Sequence, residues 1–259
     1  EESLQATEEF ITNTKDKYEL IEPIITPRFV PSCSAELMTG LGELASKYDI
    51  TVQSHISENQ NEIDWVADLH PEAENYGAVY DQFGLFGQQP TVMAHGVYLT
   101  DEEIEVMADR DIFVSHCPHS NTDLASGIAP IRKITEHDVP VGLASDVAGG
   151  HDISMSSVMT SAIQVSKLKW VESNHEYEPL SAKEVLYLAT KGGGEFFGKV
   201  GSFEPGYEFD ALVIDDENIK DVNERTIEER IERYIYLGDE RNIVDRFVKG
   251  QRLPEPSFK

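Results

Sequence analysis

The sequence predicts an α/β fold built from βα units around a parallel sheet. Two observations carry that prediction. Five short runs rich in β-favouring residues alternate with helix-patterned segments over the first two-thirds of the chain, and each run delivers a polar side chain at its C-terminal end. Parallel strands present all those ends on one face, where barrels and open α/β sheets place their chemistry.

The elements follow in order. Residues 3–19 carry Leu4, Thr7, Ile11, Thr14 and Tyr18 on one helical stripe. The run PIIT, 23–26, is the first expected strand and ends at Pro27, Arg28 and Phe29. A helix from near Ser34 places Leu37, Leu41, Leu44 and Tyr48 at helical spacing. TVQSHI, 51–56, is the second strand, and Ser57 with Gln60 stands at capping-box spacing for a helix over 62–69. A short helix is expected over 79–83, then the strand TVMAH, 91–95, and a helix opened by a capping box at Thr100 and Glu103. IFVSHC, 112–117, and VPVGLASD, 139–146, complete the five strands, each after a helical segment. Beyond residue 150, Ser181 and Glu184 open a helix that the triple glycine 192–194 is expected to close. Residues 200–216 read as turn and strand, 223–238 as a charged helix with a solvated face, and 243–253 as a closing strand. Two domains are therefore expected, 1–199 and 200–259.

Composition narrows the function classes. The 259 residues are 40% hydrophobic and 9% aromatic, as in a folded globular protein. Carboxylates outnumber basic side chains 48 to 21, for a formal charge of −27, which argues against nucleic acid or an anionic membrane as partner. The acidity is most simply a solubilising surface. No apolar run is long enough to span a membrane, and EESLQATEEF lacks the features of a signal peptide. Cys33 and Cys117 lie far apart, give no disulfide framework, and make the cytoplasm the expected compartment. Cys117 reads as a small buried residue.

The strand ends hold the candidate chemistry: Arg28 after the first, His55 at the second, His95 at the third, His116 at the fourth and Asp146 at the fifth. His55 offers an imidazole to a metal, and Glu58, three residues on, is placed to move protons beside it. Each has a plain structural alternative. Glu58 could serve only the helix dipole, Arg28 a surface ion pair, and Asp146 a turn. Three histidines, an aspartate, an arginine and a glutamate in register favour a metal or catalytic site.

TPRF (26–29), PSCS (31–34), QSHISEN (53–59), MAHG (93–96), SHCP (115–118), SDVAGG (145–150) and YLGDERN (236–242) together resemble the amidohydrolase superfamily, and within it the guanine deaminase family. The likeness runs over essentially the whole chain. His119 departs from it, standing where Asn or another small polar residue is usual. The resemblance implies a partial (β/α)8 TIM-like barrel of amidohydrolase type, about five of eight βα units, followed by C-terminal strands of a small β-sandwich. It implies hydrolytic deamination of guanine to xanthine and ammonia with one Zn2+, in a cytoplasmic homodimer. His55, His95 and Asp146 would be the metal residues, Glu58, His95 and Asp146 the catalytic ones. Arg28, Phe29, His55, Glu58 and Asp146 would contact the substrate, Arg28 at the purine carbonyl and Phe29 at the ring face.

The superfamily's H-x-H pair, which adds two histidine ligands, occurs nowhere in this sequence. The chain is therefore expected to be the C-terminal portion of such an enzyme, without three βα units and the first sandwich strands. Another amidohydrolase deaminase and a catalytically inactive binding module stay open as alternatives.

Overall fold

The computed structural model of the chain describes residues 1–255. Strands β1 (Val52–Ile56), β2 (Thr91–His95), β3 (Phe113–His116) and β4 (Val141–Leu143) form one sheet in that order, and β5 (Ala211–Ile214), β6 (Ile243–Val248) and β7 (Gln251–Arg252) form a second. The helices, in chain order, are α1 (Glu2–Thr14), α2 (Ala35–Tyr48), α3 (Gln60–Leu69), α4 (Tyr76–Gln82), α5 (Asp101–Asp109), α6 (Pro118–Asp123), α7 (Ile131–Glu136), α8 (Met155–Glu172), α9 (Ala182–Tyr187) and α10 (Ile227–Leu237). The chain forms two compact units, Glu1–His116 with Ala125–Val141, and Cys117–Leu124 with Gly142 onward.

The first unit holds the parallel sheet. β1 pairs with β2 and β2 with β3 in parallel register, with Ser54 opposite Met93, His55 opposite Ala94 and Ile56 opposite His95. β1, β2 and β3 alternate strictly between buried and half-buried positions. Val52, Ile56, Met93 and Val114 are completely buried, each worth about 1.5–3 kcal/mol relative to exposure. The alternating βα order predicted from the sequence is present, with one exception. The expected strand over 23–26 is a single bridge: Ile25 N–H donates to Thr51 O, and Gln53 N–H donates to Ile25 O. Pro23 and Pro27 flank that bridge without N–H groups, so the ladder cannot extend.

Three local expectations are corrected. The first helix ends at Thr14, not 19, because Asp16 turns left-handed at φ +60° within the polar stretch 15–17. The cap of α3 is Asn59, whose side chain accepts from Glu62 N–H, and not Ser57, which lies ahead of the cap at φ +48°. The triple glycine does not close α9. The chain continues through a wide helical turn over Leu188–Gly192, and Gly193 packs so closely that a Cβ on Gly142 would lie 2.9 Å from its Cα.

In the second unit α8 packs against α6, α9 and α10. Thr160 Oγ1 donates to Ile235 O, and Ser156 Oγ donates to Gly238 O, which ties α8 to the end of α10. The antiparallel β5–β6–β7 sheet closes this unit. The expected strand over 243–253 is a hairpin, since Lys249 and Gly250 both take positive φ between β6 and β7. Among the described residues, no helix is long and apolar enough to cross a membrane.

Candidate active site

In the first unit the ends of β1 and β2 are knitted together. Gly96 N–H donates to Ile56 O at 3.1 Å and Tyr98 N–H to Ser57 O at 3.0 Å. Both strand ends leave the sheet through left-handed backbone: Ser57 at φ +48°, then His95 at +76° and Gly96 at +58°. For the non-glycine residues this costs about 1–3 kcal/mol each, a strain that concentrates at functional sites. At His95 the strain has a visible product. The pleat places His95 opposite Ile56, so regular backbone would send the His55 and His95 side chains to opposite faces. The left-handed turn brings the two rings into a stack instead, 5.2 Å between centroids and 23° between planes.

His55 Nδ1 lies 2.5 Å from the Arg28 carbonyl oxygen. A carbonyl only accepts, so Nδ1 carries the proton and the neutral ring keeps its lone pair on Nε2. Glu58 is held by two neighbours. Its Oε1 accepts from Ser126 Oγ at 2.9 Å, and its Oε2 lies 3.6 Å from Nε2 of the buried His95. Tyr98 completes the support by donating its hydroxyl to Ser126 O at 2.8 Å. His116, fully buried at the end of β3, is held at a pKa of about 3 by burial and then by the neighbouring His95. It is therefore a neutral imidazole, and its Nδ1 has no hydrogen-bond partner among the described residues.

Arg28 and Phe29 stand beside this cluster through the Arg28 carbonyl. The exposed Arg28 guanidinium sits 5.6 Å from the centre of the Phe29 ring, and that ring meets Trp65 edge-on at 6.2 Å. The first unit thus brings together His55, Glu58 and His95, with Arg28 and Phe29 adjacent in the chain segment that holds the His55 ring. Sequence reasoning missed Ser126 and Tyr98, and no pattern in the sequence marks them: both are isolated polar side chains in connecting segments.

Asp146 belongs to the second unit. It follows β4 in left-handed backbone at φ +44°, and its carbonyl accepts from the N–H groups of Gly149 and Gly150. This tight loop needs the glycine at 150, where a Cβ would lie 2.6 Å from Ser145 O and 2.9 Å from the His119 Cβ. Within the same unit the Cys117 Sγ and an Asp146 carboxylate oxygen lie within 4.8 Å of each other. Cys117 is buried, as its sequence context suggested, yet it stands beside a candidate ligand. His119 is buried on α6 with its ring 4.3 Å from His151, whose Nδ1 pairs with Asp123 Oδ2 at 2.7 Å. The YLGDERN segment forms the end of α10 and the following turn, where hydrogen bonds from Arg241 hold the Asp239 carboxyl down at about 2.

The donor chemistry fits a zinc ion. Imidazole and carboxylate are its ordinary ligands. The proton on His55 Nδ1, held by a backbone carbonyl, leaves the Nε2 lone pair available to a metal.

The amidohydrolase family profile matches residues 1–253. The chain belongs to the amidohydrolase family. Among curated amidohydrolase relatives, it is 40% identical to the guanine deaminase of Homo sapiens over 269 residues, covering 98% of this chain and 58% of that protein. A solved guanine deaminase from C. acetobutylicum, with guanine bound in its active site, superposes with a TM-score of 0.94 at 52% identity, over 97% of this chain and 60% of that one. An adenosine deaminase from Xanthomonas campestris with bound Zn shares the fold at a TM-score of 0.84 and 24% identity, over 97% of this chain and 56% of that one. The chain therefore spans 58% of the length of such a curated relative.

Proposed function

We propose that this chain serves a zinc-dependent guanine deaminase, which converts guanine and water to xanthine and ammonia. The proposal rests on the 52% identity, across 97% of the chain, to a guanine deaminase solved with guanine in its active site. The stacked His55–His95 pair with Glu58 beside it supports the same chemistry.

In this proposal His55, His95 and Asp146 hold one Zn2+. Zinc supplies Lewis-acid activation of water near neutral pH. Glu58 gives a proton to the ring nitrogen beside the carbon that carries the amine as the C–O bond forms. It takes up the proton that Asp146 received from water, passes it to the departing nitrogen as the C–N bond breaks, and is reprotonated by the hydroxyl that becomes the new carbonyl. Asp146 accepts the proton that the water gives up. His95, buried beside Glu58, orients the attacking oxygen. Arg28 presents its planar donors to the purine carbonyl, and Phe29 packs against the ring. We assign 1–199 to a partial (β/α)8 barrel of about five βα units and 200–259 to a composite β-sandwich. The four-stranded sheet lies within 1–199 and the antiparallel β5–β7 sheet within 200–259, whereas the compact units part at 141/142, and the last four residues lie outside the described ones. The small-molecule substrate follows the relative solved with guanine, the homodimer and the cytoplasmic location are carried over from the family resemblance alone, and the free Cys33 and Cys117 suit a reducing compartment.

The test is ammonia release from guanine, an adenosine-type nucleoside and a triazine by the complete zinc-loaded enzyme. Guanine should be preferred by at least about 100-fold in kcat/KM, the scale set by a site built to hydrogen-bond one substrate. Preference for another substrate would make this a different amidohydrolase deaminase. Stoichiometric zinc without any turnover would make it a binding module.

A further inference from the structure

The turn that carries His55 and Glu58 is clamped by a single short helix. Tyr76 and Tyr80 lie four residues apart on α4, on one face, with their rings stacked at 5.5 Å and only 8° apart. Tyr80 reaches one end of the turn directly, and Tyr76 reaches the other through Glu62 of α3. Tyr80 donates to His55 O at 2.8 Å and sits 2.6 Å from Ser54 Oγ, which in turn reaches Pro27 O at 2.7 Å. Two hydroxyl protons are shared among these three contacts, so two are hydrogen bonds at any moment, and Ser54 and Tyr80 together tie the Arg28 segment to β1. Tyr76 donates to Glu62 Oε1 at 2.6 Å, and Glu62 Oε2 accepts the backbone N–H of Glu58 at 3.2 Å.

Glu62 is the pivot. It occupies the third position of α3, where an acidic residue ordinarily reaches back to the cap residue's own N–H. Here Asn59 is the cap and Glu62 reaches one residue further, to Glu58. The displaced contact matches the left-handed Ser57, which turns the chain so that Glu58 N–H points at α3. Glu62, Tyr76 and Tyr80 are all buried, and burial pushes both tyrosine hydroxyls well above their ordinary range, so they remain donors. Buried hydrogen bonds of this kind are expensive to leave unmade.

We propose that α4 is the template for the H-x-x-E turn, with Glu62 and Tyr80 as positioning residues that fix Glu58 relative to His55. Neither touches the substrate in this account. Their effect on turnover rests on the deaminase proposed above, while their effect on the turn does not.

The test compares Glu62→Ala, Glu62→Gln and Tyr80→Phe with the wild-type protein, by amide hydrogen exchange over 55–62 and by guanine turnover of the zinc-loaded form. In Glu62→Ala the Glu58 amide should exchange at least about 10-fold faster, the scale of one lost hydrogen bond, while β2 amides keep their protection. Its kcat should fall about 10–100-fold with KM within about threefold, as for a misplaced catalytic group. Glu62→Gln keeps an acceptor for Glu58 N–H and should restore both. Tyr80→Phe, which removes only a hydroxyl, should lower kcat in the same way and gives the answer if Glu62→Ala does not fold. Unchanged Glu58 exchange, uniformly faster exchange across the unit, or a fall in KM terms alone would overturn the assignment. A wild-type protein without guanine turnover would sink the deaminase proposal and leave the exchange result to decide this one.

Discussion

The two sheets are built from similar residues and behave differently. In the parallel sheet, Val52, Ile56, Met93 and Val114 are completely buried. In the antiparallel sheet, Leu212, Val213 and Val244 are 56%, 44% and 53% exposed, and charged pairs such as Arg252–Asp245 and Arg230–Asp216 hold its surroundings. Full burial over-determines the backbone of the first sheet. That is what lets it hold a non-glycine residue such as His95 at φ +76° and still present an ordered ring. The second sheet holds its positive-φ turn at Lys249 and Gly250, where little is packed. Among the described non-glycine residues with left-handed backbone, the buried ones are Ser57 and His95, and both stand at the candidate site.

The largest test of this contrast is a pair of truncations. Met93→Ala should cost about 2–5 kcal/mol, as for a fully buried side chain that leaves a cavity. Val244→Ala should stay within about 0.5 kcal/mol. Denaturant midpoints measure both, and equal losses would break the comparison.

Helix caps give a smaller effect of the same sign. Thr100 and Glu103 form a capping box whose glutamate is buried and also accepts Gly77 N–H. Thr226 and Glu229 form the same box on the surface. Thr100→Ala should cost about 1–2 kcal/mol and Thr226→Ala about 0.5 kcal/mol, the two ends of the known range for caps.

The smallest effect is on acid stability. Arg110, hydrogen-bonded to Asp81, holds that carboxyl below its ordinary range. A depressed folded value means that the pair stabilises above the unfolded pKa of ~3.9 and loses this as pH falls through the folded value. Both side chains are more than a third exposed, so solvent screening keeps the contribution under about 1 kcal/mol. Asp81→Asn should flatten the acid side of a thermal-melt series by that amount. A steeper acid limb in the variant would reverse the sign.

Much of this was legible in the sequence because burial and strand period speak through residue type. Four strands, their polar ends and the capping box at Thr100 could be read directly. The longest helix, α8, could not. Its buried face, Val158, Met159, Ala162, Ile163 and Val165, is interleaved with serine and threonine, and exposed Leu168 and Val171 blur the stripe. The strand over 23–26 was overread because two prolines stop a ladder without changing its apolar appearance. At the candidate site, His55, Glu58 and His95 were visible as residues, but their meeting depends on left-handed backbone at Ser57 and His95, which is uncommon for non-glycine residues and unmarked in a strand-patterned run. Ser126, Glu62, Tyr76 and Tyr80 were silent, since each acts through a long-range hydrogen bond.

The central proposal is that Glu58 carries protons in a zinc-dependent deamination of guanine. The most direct measurement is ammonia release from guanine by the zinc-loaded wild-type protein and by Glu58→Gln. In the complete enzyme, with the H-x-H histidines supplied, the expected result is turnover to xanthine by the wild type, with kcat at least ~100-fold lower in the variant and zinc content unchanged. Equal turnover by the two proteins would remove Glu58 from the mechanism and contradict the account.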